Sequence, residues 1–171
     1  MVNITFKKLL FDVACATVAC DGHIDDREIH ELRFIDESTT YFGDIDLSGQ
    51  LENFLQSVKL RPEDTINSAV FQLGKMALSP VEELLVLEVA LRIVYADIKI
   101  DAKEVKLLQL IRSFLSIDDE IIRQRFGENE ILLNVDKFVN DVPVTQKITS
   151  RDNSIDDIEN AYFNIGDEGK S

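Results

Sequence analysis

Six carboxylates at repeated spacing are the side chains of this sequence best suited to chemistry. Asp21, Asp25 and Glu28 lie in Asp-Gly-His-Ile-Asp-Asp-Arg-Glu, and Asp97, Asp101 and Glu104 lie in Asp-Ile-Lys-Ile-Asp-Ala-Lys-Glu. Oxygen ligands alone suit hard cations such as Ca²⁺, Mg²⁺ or Mn²⁺ better than Zn²⁺ or copper. The apolar frame repeats with the acids, since Ala14, Val18, Ile24, Leu32 and Ile35 recur in order as Ala90, Val94, Ile100, Leu108 and Ile111. The carboxylates therefore belong to a duplicated structural unit and not to a scattered acidic surface.

Helix-end rules give the six acids different roles. Asp25 and Asp101 suit the cap position of a helix, and Glu28 and Glu104 stand where a capping-box side chain reaches back to the cap's N–H. As short capping acids they are expected to face solvent, without the apolar pocket that raises a carboxyl pKa for acid catalysis. Asp21 and Asp97 follow the last turn of a helix, where the macrodipole makes a carboxylate unfavourable by roughly a few tenths of a kcal/mol. A bound cation would remove that penalty by neutralising carboxylates and helix-end carbonyls together.

The run also looks like the later part of an EF-hand loop. Upstream, however, Thr17 and Ala19 in one copy and Ile93 and Tyr95 in the other lack carboxylates, and Ile98 stands where that loop needs glycine. A true EF-hand is excluded. A cation site here would be shallow, weak and completed by water or by a partner, and if only one turn holds a cation it should be the one at Asp21.

The elements that must position these acids are helices, because apolar residues recur at helical spacing almost throughout and no run alternates like a strand. The expected fold is all-α, a compact bundle of about seven to eight helices with an internal pseudo-repeat of helical hairpins. Helices are predicted from Ile4 to Cys20 and from Asp25 through Ile35, then a short one carrying Leu51, Phe54, Leu55 and Val58. Another starts at Pro62, where proline and the acids Glu63 and Asp64 suit a first turn. Ser79-Pro80-Val81-Glu82 is the clearest start signal, combining cap, proline and capping-box glutamate. The helix it opens, through Ala96, is apolar on nearly every side and is expected to be central, with Glu88 and Arg92 spaced to pair. Further helices are expected from Asp101 to Leu115, Asp118 to Phe126 and Glu130 to Asn140. The domain is placed at residues 1–142, followed by an acidic, flexible tail at 143–171 in which Ile155 to Ile165 could dock on a partner or on the domain.

Composition narrows the functions. With 18 basic and 32 acidic residues among 171, the net charge of −14 repels phosphate backbones and anionic lipid. No nucleic acid is expected as partner, and no small-molecule substrate is identifiable. No apolar run is long enough to span a membrane, so no direct membrane insertion is expected. The apolar N-terminal stretch imitates a signal peptide, but Asp12 interrupts it and it has an internal counterpart around Glu88 and Ala90. A cytoplasmic location is expected. Cys15 and Cys20 sit about 140° apart on one helix, so they read as small buried hydrophobes in a reducing compartment. His23 could add a ligand beside Asp21, although a solvated turn residue is the simpler reading. No nucleophile motif, P-loop or dinucleotide fingerprint occurs, and the protein is not expected to be an enzyme.

The stretch Val18-Ala-Cys-Asp21-Gly22-His-Ile24-Asp-Asp-Arg-Glu28 resembles the hairpin turn of the tellurite-resistance TerB-like family, which is similar to the N-terminal helical domain of the co-chaperone DjlA. The pseudo-repeat from Val94 to Glu104 also fits. The resemblance covers about residues 1 to 140, and it departs from the family at Ile98, which replaces glycine in the second copy. It implies a compact all-helical domain whose acids Asp21, Asp25, Glu28, Asp97, Asp101 and Glu104 hold a divalent metal. It further implies an interaction module in stress-response and defence systems against toxic oxyanions, phage and colicins. The expected function is thus a non-enzymatic module that couples weak cation binding to docking on a protein partner. A metal-independent acidic adaptor is the alternative, and a metal-dependent hydrolase the third reading.

Overall fold

The computed structural model describes residues 4–135, which form seven α-helices and one 3₁₀ turn. The helices are α1 (Ile4–Ala19), α2 (Asp26–Ser38), α3 (Leu47–Leu60), α4 (Pro62–Phe71), α5 (Pro80–Val94), α6 (Ala102–Phe114) and α7 (Asp119–Phe126), with the 3₁₀ turn at Gln72–Lys75. The fold is the expected all-α bundle. None of these helices is long and apolar enough to cross a membrane.

Two helices share the centre, not one. In α1, Phe6, Leu10, Phe11, Val13, Ala14, Cys15, Ala16 and Val18 are all fully buried, and α5 buries Val86, Leu87, Val89, Ala90, Ile93 and Val94 just as completely. Helices apolar on most sides must be covered on most sides, and α1 accordingly packs on α5 and α4 while α5 also receives α2 and α6. Because α1 and α5 are the first helices of the two repeats, their pairing sets hairpin α1–α2 beside hairpin α5–α6. Edge-to-face ring pairs add to this packing, Phe11 on Phe42 at 5.4 Å and Phe71 on Phe114 at 5.6 Å.

The helix starts follow the local chemistry. Ser79 and Glu82 form a full capping box on α5, as do Asp101 and Glu104 on α6, and Pro62 opens α4 with Glu63 and Asp64 in its first turn. Glu88 and Arg92 do not pair with each other. Glu88 instead meets Arg125 of α7 at 3.2 Å and Arg92 meets Glu31 of α2 at 2.8 Å, because each faces a different neighbour across the surface of a central helix. The helix expected from Glu130 is also absent from its described part, residues 130–135. There the Asn129 side chain accepts the N–H groups of Ile131 and Leu132, and Asn134 takes a positive φ of 59°, which closes a single turn. Residues 136–140 of that expected helix, the boundary at 142 and the tail at 143–171, including Ile155 to Ile165, lie outside the described residues.

Arg112, wholly buried, clamps the far end of α6. Its guanidinium donates to the carbonyls of Leu132 (3.2 Å), Leu115 (3.3 Å) and Ile117 (2.8 Å) and to Asp119 Oδ1 (2.9 Å). Opposite it, the buried Glu83 carboxylate accepts the N–H groups of Ser116 and Ile117 at 3.0 and 2.8 Å. Removing one side of such a buried charged network strands the other. Arg112→Leu should therefore lower the unfolding free energy by about 3 kcal/mol in urea titration, with loss concentrated in hydrogen-exchange protection of residues 115–133.

Candidate functional site

The two acidic turns lie side by side at one end of the bundle, and they are built differently. After α1, the Gly22 N–H returns to the Ala19 carbonyl at 3.1 Å with Gly22 at φ +80°, a conformation that glycine adopts without strain. Asp21 Oδ1 then accepts the N–H of His23 at 2.8 Å, closing an Asx turn. In the second copy Ile98 takes no such positive φ, and Asp97 Oδ1 accepts the adjacent Ile98 N–H at 2.6 Å. Asp21 and Asp97, for which helix-end rules offer no role, thus acquire a local one as turn closers.

Asp25 and Asp101 cap their helices as expected, accepting the N–H groups of Arg27 and Lys103 at 2.8 and 2.7 Å. Arg27 does more than follow the cap. Its guanidinium lies 3.2 Å from Asp25 and 3.6 Å from Asp97, so one cation ties the two turns together. The Arg27 N–H and then the Arg27 side chain, hydrogen-bonded to Asp25, hold that carboxyl below its usual range.

Glu28 and Glu104 correct the sequence reading, because these capping acids do not face solvent. Each is only 2% exposed. They serve their own caps, Glu104 Oε2 accepting the Asp101 N–H at 2.6 Å and Glu28 accepting that of Asp25. They also hydrogen-bond to each other across the hairpin interface. Burial, followed by the hydrogen bond to Glu104 and the charges of Glu104 and Asp21, pushes the Glu28 carboxyl up to about 8. Burial raises Glu104 as well, opposed by the Asp101 N–H and by the bond from Glu28. Both carboxyls are thus shifted toward the protonated form, as expected of a buried carboxyl pair that titrates as a unit.

Of the six acids, the structure brings Glu28, Glu104 and Asp21 into electrostatic contact, with Asp101 acting on Glu104. Asp25 and Asp97 are turned to Arg27. Among the described residues, no three His, Cys, Asp or Glu side chains converge closely enough to hold a metal ion in this arrangement. The donor chemistry nevertheless fits a hard cation, since the Glu28–Glu104 pair offers only oxygens. His23 and His30 are exposed. Cys20 is partly buried and its thiol is pushed well up, first by burial and then by the carboxylates of Glu104, Asp21, Glu28 and Asp101; it is inert as a nucleophile. A separate open groove of about 560 Å³ runs between α1, α3 and α4, edged by Lys8, Phe54, Ala69 and Met76, and none of the six acids lines it.

Two features escaped the sequence reading, the burial of the glutamates and the bridging role of Arg27. The repeat itself carried a signal for the first. Equivalent positions of a duplicated hairpin can meet when the first helices of the two copies pair, as Glu28 and Glu104 do. Compared with known proteins, the chain matches no family model, no curated protein and no solved structure.

The pair links pH to stability with a definite sign. A carboxyl whose folded pKa is raised from 4.5 to about 8 contributes stability that is complete below the lower value and lost as pH rises through the higher one. Glu28→Gln keeps a donor toward Glu104 and removes the titration. The variant should overtake the wild type by about 1–2 kcal/mol in urea unfolding at about pH 8.5, with the difference shrinking toward about pH 5.

Proposed function

We propose that this protein is a TerB-like, non-enzymatic helical module. Its paired acidic turns bind a divalent cation weakly, and it docks on a protein partner in a cytoplasmic bacterial stress-response or defence system of the kind that confers resistance to tellurite, phage or colicins. The observation that carries the reading is the buried Glu28–Glu104 pair. Burial and mutual repulsion oppose ionisation of both carboxyls at the junction of the two hairpins, and a positive charge between them, a proton or a metal cation, would relieve that cost. Ca²⁺, Mg²⁺ or Mn²⁺ would do so with more charge.

Glu28 and Glu104 would be the inner ligands and Asp21 the outer one, with Asp101 adding field and water completing the shell. Such a cation would supply no bond-breaking chemistry in this reading. It would join the hairpins α1–α2 and α5–α6, as the Arg27 bridge to Asp97 already does more weakly. A hydrolase would need room for substrate beside these acids, and the groove of about 560 Å³ is lined by other residues.

A metal-independent adaptor is favoured by a different observation. Arg27 already neutralises Asp25 and Asp97, and every turn carboxylate has a local backbone partner. Calorimetric titration with Ca²⁺, Mg²⁺ and Mn²⁺ separates the two. The cation reading expects a Kd on the order of 0.1–1 mM, as in weak extracellular calcium modules. Glu28→Gln should abolish binding and Asp21→Asn weaken it severalfold, whereas Asp97→Asn, committed to Arg27, should change it little. No binding heat at millimolar metal, together with a melting temperature indifferent to chelator, would leave the adaptor.

A further inference from the structure

We infer that the seam between α2 and the end of α5, together with the two turn tips, is a docking surface for a basic amphipathic segment of a partner protein. The inference rests on the partner half of the reading above and names the surface and its ligand chemistry. What carries it is the distribution of exposed apolar side chains. Among the described residues six large hydrophobics are exposed, and Ile24 (41%), Phe34 (51%), Tyr95 (50%) and Ile98 (89%) fall within the matching stretches 14–35 and 90–111, whereas Leu60 and Val81 lie outside them. Single exposed apolar residues need no explanation, but a group of them at one place marks an interaction site.

Contacts of adjacent residues place them along the two repeated units. Arg27 reaches both Asp25, next to Ile24, and Asp97, next to Ile98, which sets the two turn tips together. Further along the same seam, Arg92 stacks over the Phe34 ring at 5.8 Å while pairing with Glu31. Tyr95 follows Arg92 by one turn and its hydroxyl is held by Asn129 at 3.0 Å. The two turn tips and the Phe34 ring are thus held by ion pairs and a cation–π contact, which lowers the ordering cost of binding.

Charge selects the occupant. Over residues 21–28 and 97–104 five solvent-accessible carboxylates, Asp21, Asp25, Asp26, Asp97 and Asp101, outnumber Arg27, Lys99 and Lys103, and the whole chain carries −14. Arg27 and Arg92 within the seam are already matched to acids. A second copy of this chain, a nucleic acid or an anionic membrane would each meet net repulsion here. An amphipathic helix with leucines on one face and lysines on the other would bury Ile24, Ile98 and Phe34 and pair with the surrounding carboxylates, the helix-in-groove mode of recognition.

The test uses the full chain and a labelled Leu/Lys amphipathic helix of about four turns, with two controls: its scrambled isomer and the Leu/Glu counterpart. Fluorescence anisotropy should show saturable binding of the amphipathic basic peptide, weaker binding of the scrambled one and none of the acidic one. Ile24→Ser with Ile98→Ser should weaken binding at least about tenfold with the melting temperature unchanged, while Leu60→Ser leaves it intact. Equal binding of basic and scrambled peptides, or indifference to the Ile24 and Ile98 changes, would reduce the effect to bulk charge and overturn the proposal. Light scattering showing a dimer that the double change dissolves would overturn it in favour of self-association. Peptide binding that persists in chelator, with no cation heat in calorimetry, supports this surface while removing the cation from the function.

Discussion

The hydrogen bond between Glu28 and Glu104 sets the condition under which the two halves of this protein meet. Each glutamate satisfies the backbone of its own helix start, and each is buried by the other hairpin. Two anions in that position would repel in a poorly solvated space, so the interface forms with a positive charge present or pays in stability. The raised pKa of both carboxyls is consistent with a proton in that role. Arg27 reinforces the arrangement outside the buried pair, where it bridges Asp25 and Asp97 in partial contact with water. Such an exposed ion pair contributes little by itself, and its value here is geometric, since it aligns the two turns.

The central pairing of α1 with α5 is what brings these groups together. Both helices are apolar on most of their surface, and mutual burial is the efficient way to remove that surface from water. Since α1 and α5 are equivalent positions of the repeat, their second helices and intervening turns must follow to the same end of the bundle. The meeting of two copies of one short acidic pattern is thus a consequence of core packing. The far end of the bundle has its own device, the Arg112 and Glu83 clamp on the α6–α7 loop, which keeps that loop's carbonyls and N–H groups satisfied away from solvent.

The surface around the turns combines exposed apolar tips with carboxylates held by their own backbone. A module of the proposed kind would need no catalytic pocket. Cation binding at the buried pair and partner docking on the seam would act on the same two hairpins, so either event would influence the other through the α2–α5 contact.

Local rules carried a great deal of the structure. The helix starts at Pro62, Ser79 and Asp101 depend only on residues a few positions away, and their caps form as the spacing demands. Helical periodicity made the all-α class and most of the buried faces legible, and the repeat of Asp21, Asp25 and Glu28 as Asp97, Asp101 and Glu104 was visible without any coordinates. What sequence could not decide were contacts between residues far apart in the chain. Glu88 and Arg92 had a good local geometry for pairing, yet α7 and α2 offered each a better partner. The turn at Asn129 replaced a helix because one side chain captured two backbone donors. Glu28 and Glu104 read as solvated capping acids, a role they do fill; only the packing of one hairpin on the other buried them and raised their pKa values. Capping is a local hydrogen bond that a short sequence specifies, whereas desolvation depends on what the rest of the chain places on top.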